Sequence, residues 1–145
     1  MIGPFRGRHH FLSNYYAEAL DLYGRRYPTA EHAYQCQKAR DAKEALWIED
    51  SPTPGEAKRR GRKVAMRPDW DTVRFQIMRE VLKAKFAPHS QMAVLLLETG
   101  DEMLVEVNWG DRFWGQTMNA DYALVGSNYL GRLLMEIRDG LREAS

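Results

Sequence analysis

Between Pro68 and Pro88 the apolar residues Trp70, Val73, Ile77, Val81 and Ala84 recur at intervals of three and four, and Met78, Leu82 and Phe86 widen the stripe. That spacing predicts an amphipathic helix, capped by Asp69 or Asp71 and running to about Phe86. A helix with so broad an apolar face is stable only when other elements cover it. The rest of the chain supplies matching helices. Leu130, Leu133, Leu134, Ile137 and Leu141 predict a last helix from a Ser127 or Asn128 cap to about Arg142. Shorter helices are marked by their punctuation. Thr29 follows Pro28 and caps a helix to about Arg40, and another is read from about Asp41 to Glu49 with Ala42, Ala45, Leu46 and Trp47 as its uneven apolar face. Thr53-Pro54-Gly55-Glu56 has capping-box spacing with proline at the first helical position. Ser90 caps the run Val94-Leu95-Leu96-Leu97, which Gly100 ends.

Strands are few. Leu20 and Leu22 alternate with Asp21 and Tyr23, and Gly24 supplies a turn, so residues 19–27 read as a small hairpin. Residues 1–16 read as a short strand and a loop, Met103 to Val107 as one alternating strand, and residues 116–126 as a loop. The expectation is a mainly α fold with a small β element: one compact domain over residues 1–145, with about six helices. A chain of 145 residues with 44% hydrophobic and 28% charged side chains suits one globular core. The net charge of +1 decides nothing about an anionic partner. Cys36 is the only cysteine, so no intrachain disulfide forms; it reads as a small packed residue, and a reducing compartment fits. His9 and His10 are adjacent while His32 and His89 stand apart with no cysteine pair, so no metal site is expected. No apolar run is long enough for a signal peptide or a membrane span, which points to a soluble cytoplasmic protein.

Four stretches carry candidate chemistry. In Tyr27 to Ala39, Glu31 falls in the first helical turn, where free N–H groups and the helix dipole favour a carboxylate. Lys38 lies seven residues on and shares its face, with Tyr34 and Gln35 between them. This stripe is either a site or a solvated helix face. Phe11 to Tyr16 packs aromatics around Ser13 and Asn14, which form either a local turn or a sugar- or base-facing loop. Six positive charges between Lys58 and Arg67 form either a solvated face or a phosphate-attracting patch. In Asn108 to Gly115, Trp114 is placed to stack on a planar base and Asp111 to orient a hydroxyl or a charged group, or the segment is a tryptophan-anchored turn closing the core. Gly126-Ser127-Asn128 reads as an N–H nest at a helix start. Gly131 marks a place where something packs closely or where a ligand meets backbone, and Lys85 suits a helix C-terminus on dipole grounds.

Taken in order, these motifs resemble the NADAR (YbiA-like) family. The matching stretches are Phe11-Leu12-Ser13-Asn14-Tyr15-Tyr16, Thr29 to Gln35 with Gln37-Lys38-Ala39, and Ala57-Lys58 with Gly61-Arg62. Trp70-Asp71, Met78, Lys83-Ala84-Lys85-Phe86 and Leu96 to Gly100 follow, then Leu104-Val105-Glu106, Asp111 to Gly115, and Gly126 to Gly131 with Leu134-Met135. The resemblance implies a cofactor-free N-glycosidase of largely helical fold, without metal. Two activities go with it: removal of ADP-ribose from guanine, on nucleosides or in DNA, and cleavage of ribosyl–amine bonds in phosphorylated intermediates of riboflavin synthesis. It implies that Glu31 is catalytic and that a lysine, Lys38 first and Lys85 second, captures the opened ribose as a Schiff base. Asp111 joins them as a candidate catalytic group. Candidate binding residues are Ser13, Asn14, His32, Tyr34, Lys58 and Arg62, and further along Trp70, Phe113, Trp114, Gly115, Ser127 and Asn128. The partner expected is an ADP-ribosylated guanine nucleotide or nucleic acid; a non-catalytic ADP-ribose or nucleic-acid binder is the competing class. One departure stands out. The glycine- and lysine-rich loop often found after Trp-Gly in that family has neither residue here, between Gln116 and Val125.

Overall fold

The computed structural model describes residues 1–144. Among the described residues six α-helices carry the fold, with one 3-10 helix and two small antiparallel hairpins. The chain separates into two compact units, residues 14–85, and residues 1–13 together with 86 onward.

In the unit 14–85, β1 (Leu20–Leu22) and β2 (Arg25–Tyr27) pair antiparallel with Leu22 opposite Arg25. Tyr23 and Gly24, the two turn residues, have φ of 52° and 80°. Left-handed backbone at both positions matches the twist of a two-residue hairpin. Helix α1 (Ala30–Lys38) starts where expected, with the Thr29 hydroxyl accepting the His32 N–H. It ends at Lys38, short of Arg40, because Ala39 turns extended and the flanking residues bond to residues 65–67: Arg40 N–H to the Ala65 carbonyl and Arg67 N–H to that of Lys38. Helix α2 (Ala42–Glu49) is capped by the Asp41 carboxylate. Its expected apolar face is corrected: Ile48 alone is buried, while Leu46 and Trp47 are 50% and 43% exposed. Helix α3 (Pro54–Gly61) has the Thr53 cap and the leading proline. In α4 (Trp70–Lys85), Trp70, Ile77, Met78, Val81 and Leu82 are buried as their spacing requires. The Asp69 carbonyl accepts from Thr72 and Val73 at the helix start, while its carboxylate is taken by Arg67.

In the other unit, the expected N-terminal strand is replaced by a 3-10 helix over Gly7–Leu12, which buries the consecutive pair Phe11 and Leu12. Adjacent apolar residues cannot share one face of a strand, but a tight helical turn tolerates them. Ile2 makes a single parallel bridge to Leu104. Met103 to Val107 is not a continuous strand: it is bridged only at Leu104 and Val107, and Leu104 and Val105 are both buried, so the expected alternation fails. The segment read as a loop after residue 116 contains a hairpin of β3 (Thr117–Met118) and β4 (Leu124–Val125). Helix α5 (Gln91–Glu98) carries the Ser90 cap, and α6 (Tyr129–Glu143) buries its whole predicted stripe. Arg138 of α6, 4% exposed, donates to the Thr99 hydroxyl at 2.9 Å and ties α6 to the end of α5.

Candidate active site

The stripe on α1 is neither solvated nor uniform. Ala30 to Cys36 are all buried, and Glu31 is only 7% exposed. The Glu31 N–H donates to the Asn14 carbonyl at 3.1 Å, and its Oε1 accepts from Gln35 Nε2 at 3.0 Å. Asn14 is equally buried; its Nδ2 lies 3.5 Å from Met78 Sδ, and its Oδ1 has no protein partner. An amide oxygen in that condition is an acceptor available to a donor that the chain itself does not supply. Lys38 is half-buried. Burial and the neighbouring Arg62 lower the pKa of its amine, and Glu31 opposes them.

Lys85 ends α4, where the helix dipole favours a cation, and it is buried there. It is 2% exposed, its Nζ lies 5.8 Å from the centre of the Tyr16 ring, and burial lowers its pKa to about 7 against a small opposing pull from Glu18. Of the basic cluster, Arg59 and Arg60 pair with Glu56, and Arg67 pairs with Asp69. Lys58, Arg62 and Lys63 have no carboxylate partner among the described residues, which leaves them free to meet an anion.

Three candidate binding residues in this unit are buried. His32 is 2% exposed, with Nε2 2.9 Å from the Ser51 carbonyl and Nδ1 2.8 Å from the Thr29 hydroxyl. A carbonyl only accepts, so Nε2 carries the proton and the Thr29 hydroxyl donates to Nδ1. The ring thereby pins the α1 start to the loop after α2. Tyr34 and Trp70 are 6% and 4% exposed, with ring centres 5.1 Å apart across α1 and α4. Both are placed in the interior.

The remaining candidates belong to the other unit. Ser13 closes the 3-10 helix, its N–H donating to the His10 carbonyl. Asn108 Oδ1 accepts from the N–H groups of Gly110 and Asp111, and Asp111 Oδ1 accepts from those of Phe113 and Trp114. Asp111 is thus committed through one oxygen to shaping the loop, a positional role the sequence reading did not assign. Phe113 packs edge-on against Trp114 and Tyr129 at 4.7 and 4.8 Å. Trp114 is half-buried, whereas Trp109 is 94% exposed. Gly115 is required by space, since a Cβ there would lie 2.3 Å from the Glu106 carbonyl oxygen. The N–H nest expected at the start of α6 is corrected. The N–H groups of Ser127, Asn128, Tyr129 and Leu130 donate to the carbonyls of Arg112, Gly115, Phe113 and Trp114 at 2.8–3.1 Å, so these four are taken by the chain's own backbone. The Asn128 side chain is likewise occupied, accepting from Glu106 N–H and donating to the Leu104 carbonyl.

Sequence reasoning assigned no role to Gln35 or Tyr16, which touch the carboxylate and the buried lysine. The i, i+4 spacing of Glu31 and Gln35 was a legible signal for the first. Nothing in the local sequence pointed Tyr16 at Lys85.

Comparison with known proteins gives this geometry a class. The chain is 40% identical over 132 residues to N-glycosidase YbiA of Shigella flexneri serotype 5b (strain 8401), which is 90% of this chain and 80% of that protein. It matches the NMR structure of YbiA from E. coli with a TM-score of 0.84 at 34% identity, over 99% of this chain and 84% of that one. A riboflavin biosynthesis protein of Vibrio vulnificus (strain YJ016) is 34% identical over 137 residues, 93% of this chain but 36% of the relative. Fold and sequence together define a glycosyl hydrolase of the N-glycosidase type. The NADAR domain model matches residues 4–142, and the chain belongs to that family.

Proposed function

We propose that this protein hydrolyses an N-ribosyl bond and that its leading substrate is guanine carrying ADP-ribose, as nucleoside or in nucleic acid. The observation that carries the reading is the buried Glu31 carboxylate at the start of α1, oriented by Gln35, with the Lys38 amine further along the same helix. Cleavage at C1 of a ribosyl group passes through an oxocarbenium-like state. A carboxylate fixed at a helix N-terminus stabilises that charge and takes a proton from the attacking group. A neutral lysine amine attacks C1 as the bond to the base breaks, and the base nitrogen is protonated as it leaves; the ribose ring then opens to a lysine imine, which water hydrolyses to free the sugar aldehyde and the amine. Lys38 is the first choice for this step, because it lies within electrostatic reach of Glu31 and stays half-accessible. Lys85 is the second, because its amine is largely unprotonated above about pH 7. Lys58 and Arg62 are the proposed phosphate contacts, and Asn14 Oδ1 the acceptor for a ribose hydroxyl or a base N–H.

The riboflavin-related relative supports a second reading, the same bond chemistry on a phosphoribosylamino intermediate. The test offers ADP-ribosylated guanosine, ADP-ribosylated single-stranded DNA and those intermediates side by side, with and without sodium borohydride. Release of guanine from the first two, and a borohydride-trapped sugar on Lys38, is the expected result. Cleavage of the riboflavin intermediates alone selects the second reading. Unchanged ligand with retained binding would reduce the protein to a binder, and the absence of any lysine adduct during turnover removes the Schiff-base step.

A further inference from the structure

Gln35 and Gly61 have no role in the reaction as written, yet they meet at the carboxylate. Gln35 is one turn beyond Glu31, and its Nε2 donates to Glu31 Oε1 at 3.0 Å with both side chains only 7% exposed. Donation to a carboxylate fixes which end of the amide is which, so Oε1 points the other way, toward α3, where it is buried without a hydrogen-bond partner. Leaving a buried acceptor unmade is destabilising, and a methionine of similar length would avoid it. The amide therefore needs a reason, and the bond to Glu31 is the one on display.

Gly61 makes that bond sterically possible. It is buried in the last turn of α3, and a Cβ there would lie 2.1 Å from Gln35 Oε1, 2.9 Å from its Cδ and 3.4 Å from its Cβ. Its backbone is helical, where glycine is a poorer choice than alanine, so the residue is needed for space and not for conformation. Any side chain at this position drives the Gln35 amide off the carboxylate. The next residue, Arg62, acts on the other end of the stripe, lowering the pKa of the Lys38 amine. The end of α3 thus bears on both groups that α1 offers for catalysis.

We propose that Gln35 is a positioning residue that holds the Glu31 carboxylate in its working orientation, and that Gly61 is the recess that admits it. The proposal rests on the reading of Glu31 as the catalytic carboxylate. A carboxylate displaced by about an ångström loses on the order of 10–100-fold in turnover while ground-state binding persists. Gln35→Ala and Gly61→Ala are each expected to lower kcat by about that factor and to leave KM within about twofold. In the Gln35→Ala/Gly61→Ala double variant the added methyl fills the vacated space, so the loss is expected to be no greater than that of Gln35→Ala alone. Wild-type kcat in either single variant, or losses that multiply in the double variant, overturns the proposal. If Glu31→Gln also has wild-type activity, the catalytic reading itself has failed; if Glu31→Gln is inactive while the other variants are normal, only the positioning role has. A crystal structure of Gly61→Ala decides independently of any substrate. A Glu31 carboxylate unmoved from its wild-type position overturns the recess, and a displaced one supports it. Gln35→Ala removes atoms without crowding, so it keeps the kinetic test available if Gly61→Ala does not fold.

Discussion

Within six residues of α1 a carboxylate, an imidazole and a thiol are each less than a tenth exposed: Glu31, His32 and Cys36. Their surroundings separate them. Glu31 faces an amide donor and shares its helix with Lys38. Both nitrogens of His32 are spent on the chain's own oxygens. Cys36 donates to the Ala45 carbonyl, and burial, reinforced by Glu49, pushes its thiol up to about 12. Glu31→Gln keeps size and burial but loses charge, so kcat is expected to fall by about 10²–10⁴ with the fold intact, as read from steady-state kinetics and circular dichroism. Cys36 is expected to resist iodoacetamide in the native protein at about pH 8 and to react once urea unfolds it, as read by mass spectrometry, because the thiolate is the reactive species. Residue spacing made Glu31 and Lys38 legible as a pair. It could not make the burial of His32, Tyr34 and Trp70 legible, since each is polar or aromatic and its partners lie 3 to 36 positions away in the chain.

At the level of elements, local chemistry and long-range chemistry part company. Caps were readable at Thr29, Thr53 and Ser90, which each accept the N–H that their position predicts, whereas the Asp41 cap is seen only in the structure. Thr53→Ala removes an exposed cap and is expected to cost about 1 kcal/mol in urea denaturation. Thr29→Ala is expected to cost about 2–3 kcal/mol by the same measure, since the buried hydroxyl also serves His32 Nδ1, which is left without its donor. The start of α6 was misread for the converse reason. A Gly-Ser-Asn sequence reports that N–H groups will point outward from the helix end, but says nothing of the carbonyls of residues 112–115 that fill them. Gly131 signalled a close approach correctly: a Cβ there would sit 2.1 Å from the Leu104 carbonyl oxygen and 2.5 Å from the Asn128 amide. Gly131→Ala is expected to destabilise by about 2–4 kcal/mol, measured by thermal melting, with backbone rather than a flexible side chain in the way.

For the molecule as a whole, helix number, helix order and the small β content followed from periodicity and punctuation, whereas the two-residue strands and the 3-10 helix did not, being too short to show a period. Global charge was silent because the free cations Lys58, Arg62 and Lys63 are offset elsewhere in a chain of net charge +1. A whole-molecule quantity does follow from Lys85. Its pKa is lowered from 10.5 to about 7 on folding, so the unfolded chain holds the proton more tightly. The resulting penalty on the folded state is complete below about pH 7 and is relieved as the pH climbs toward the unfolded value. Lys85→Met is therefore expected to stabilise the protein by about 1–3 kcal/mol at neutral pH and by progressively less toward pH 10, as measured by urea denaturation across that range. An effect that is flat in pH, or one that grows with it, contradicts the burial of a titrating amine.

The bridge between Ile2 and Leu104 sets an order of events during synthesis. The N–H of Ile2 needs the carbonyl of Met103, and the N–H of Val105 needs the carbonyl of Ile2. On a ribosome those partners emerge about a hundred codons apart, after the whole of the unit 14–85 has been translated. The segment around Ile2 is thus made before the unit 14–85 and fixed after it, and the helices bearing Glu31, Lys38 and Lys85 are complete in the nascent chain while that segment still awaits its partner.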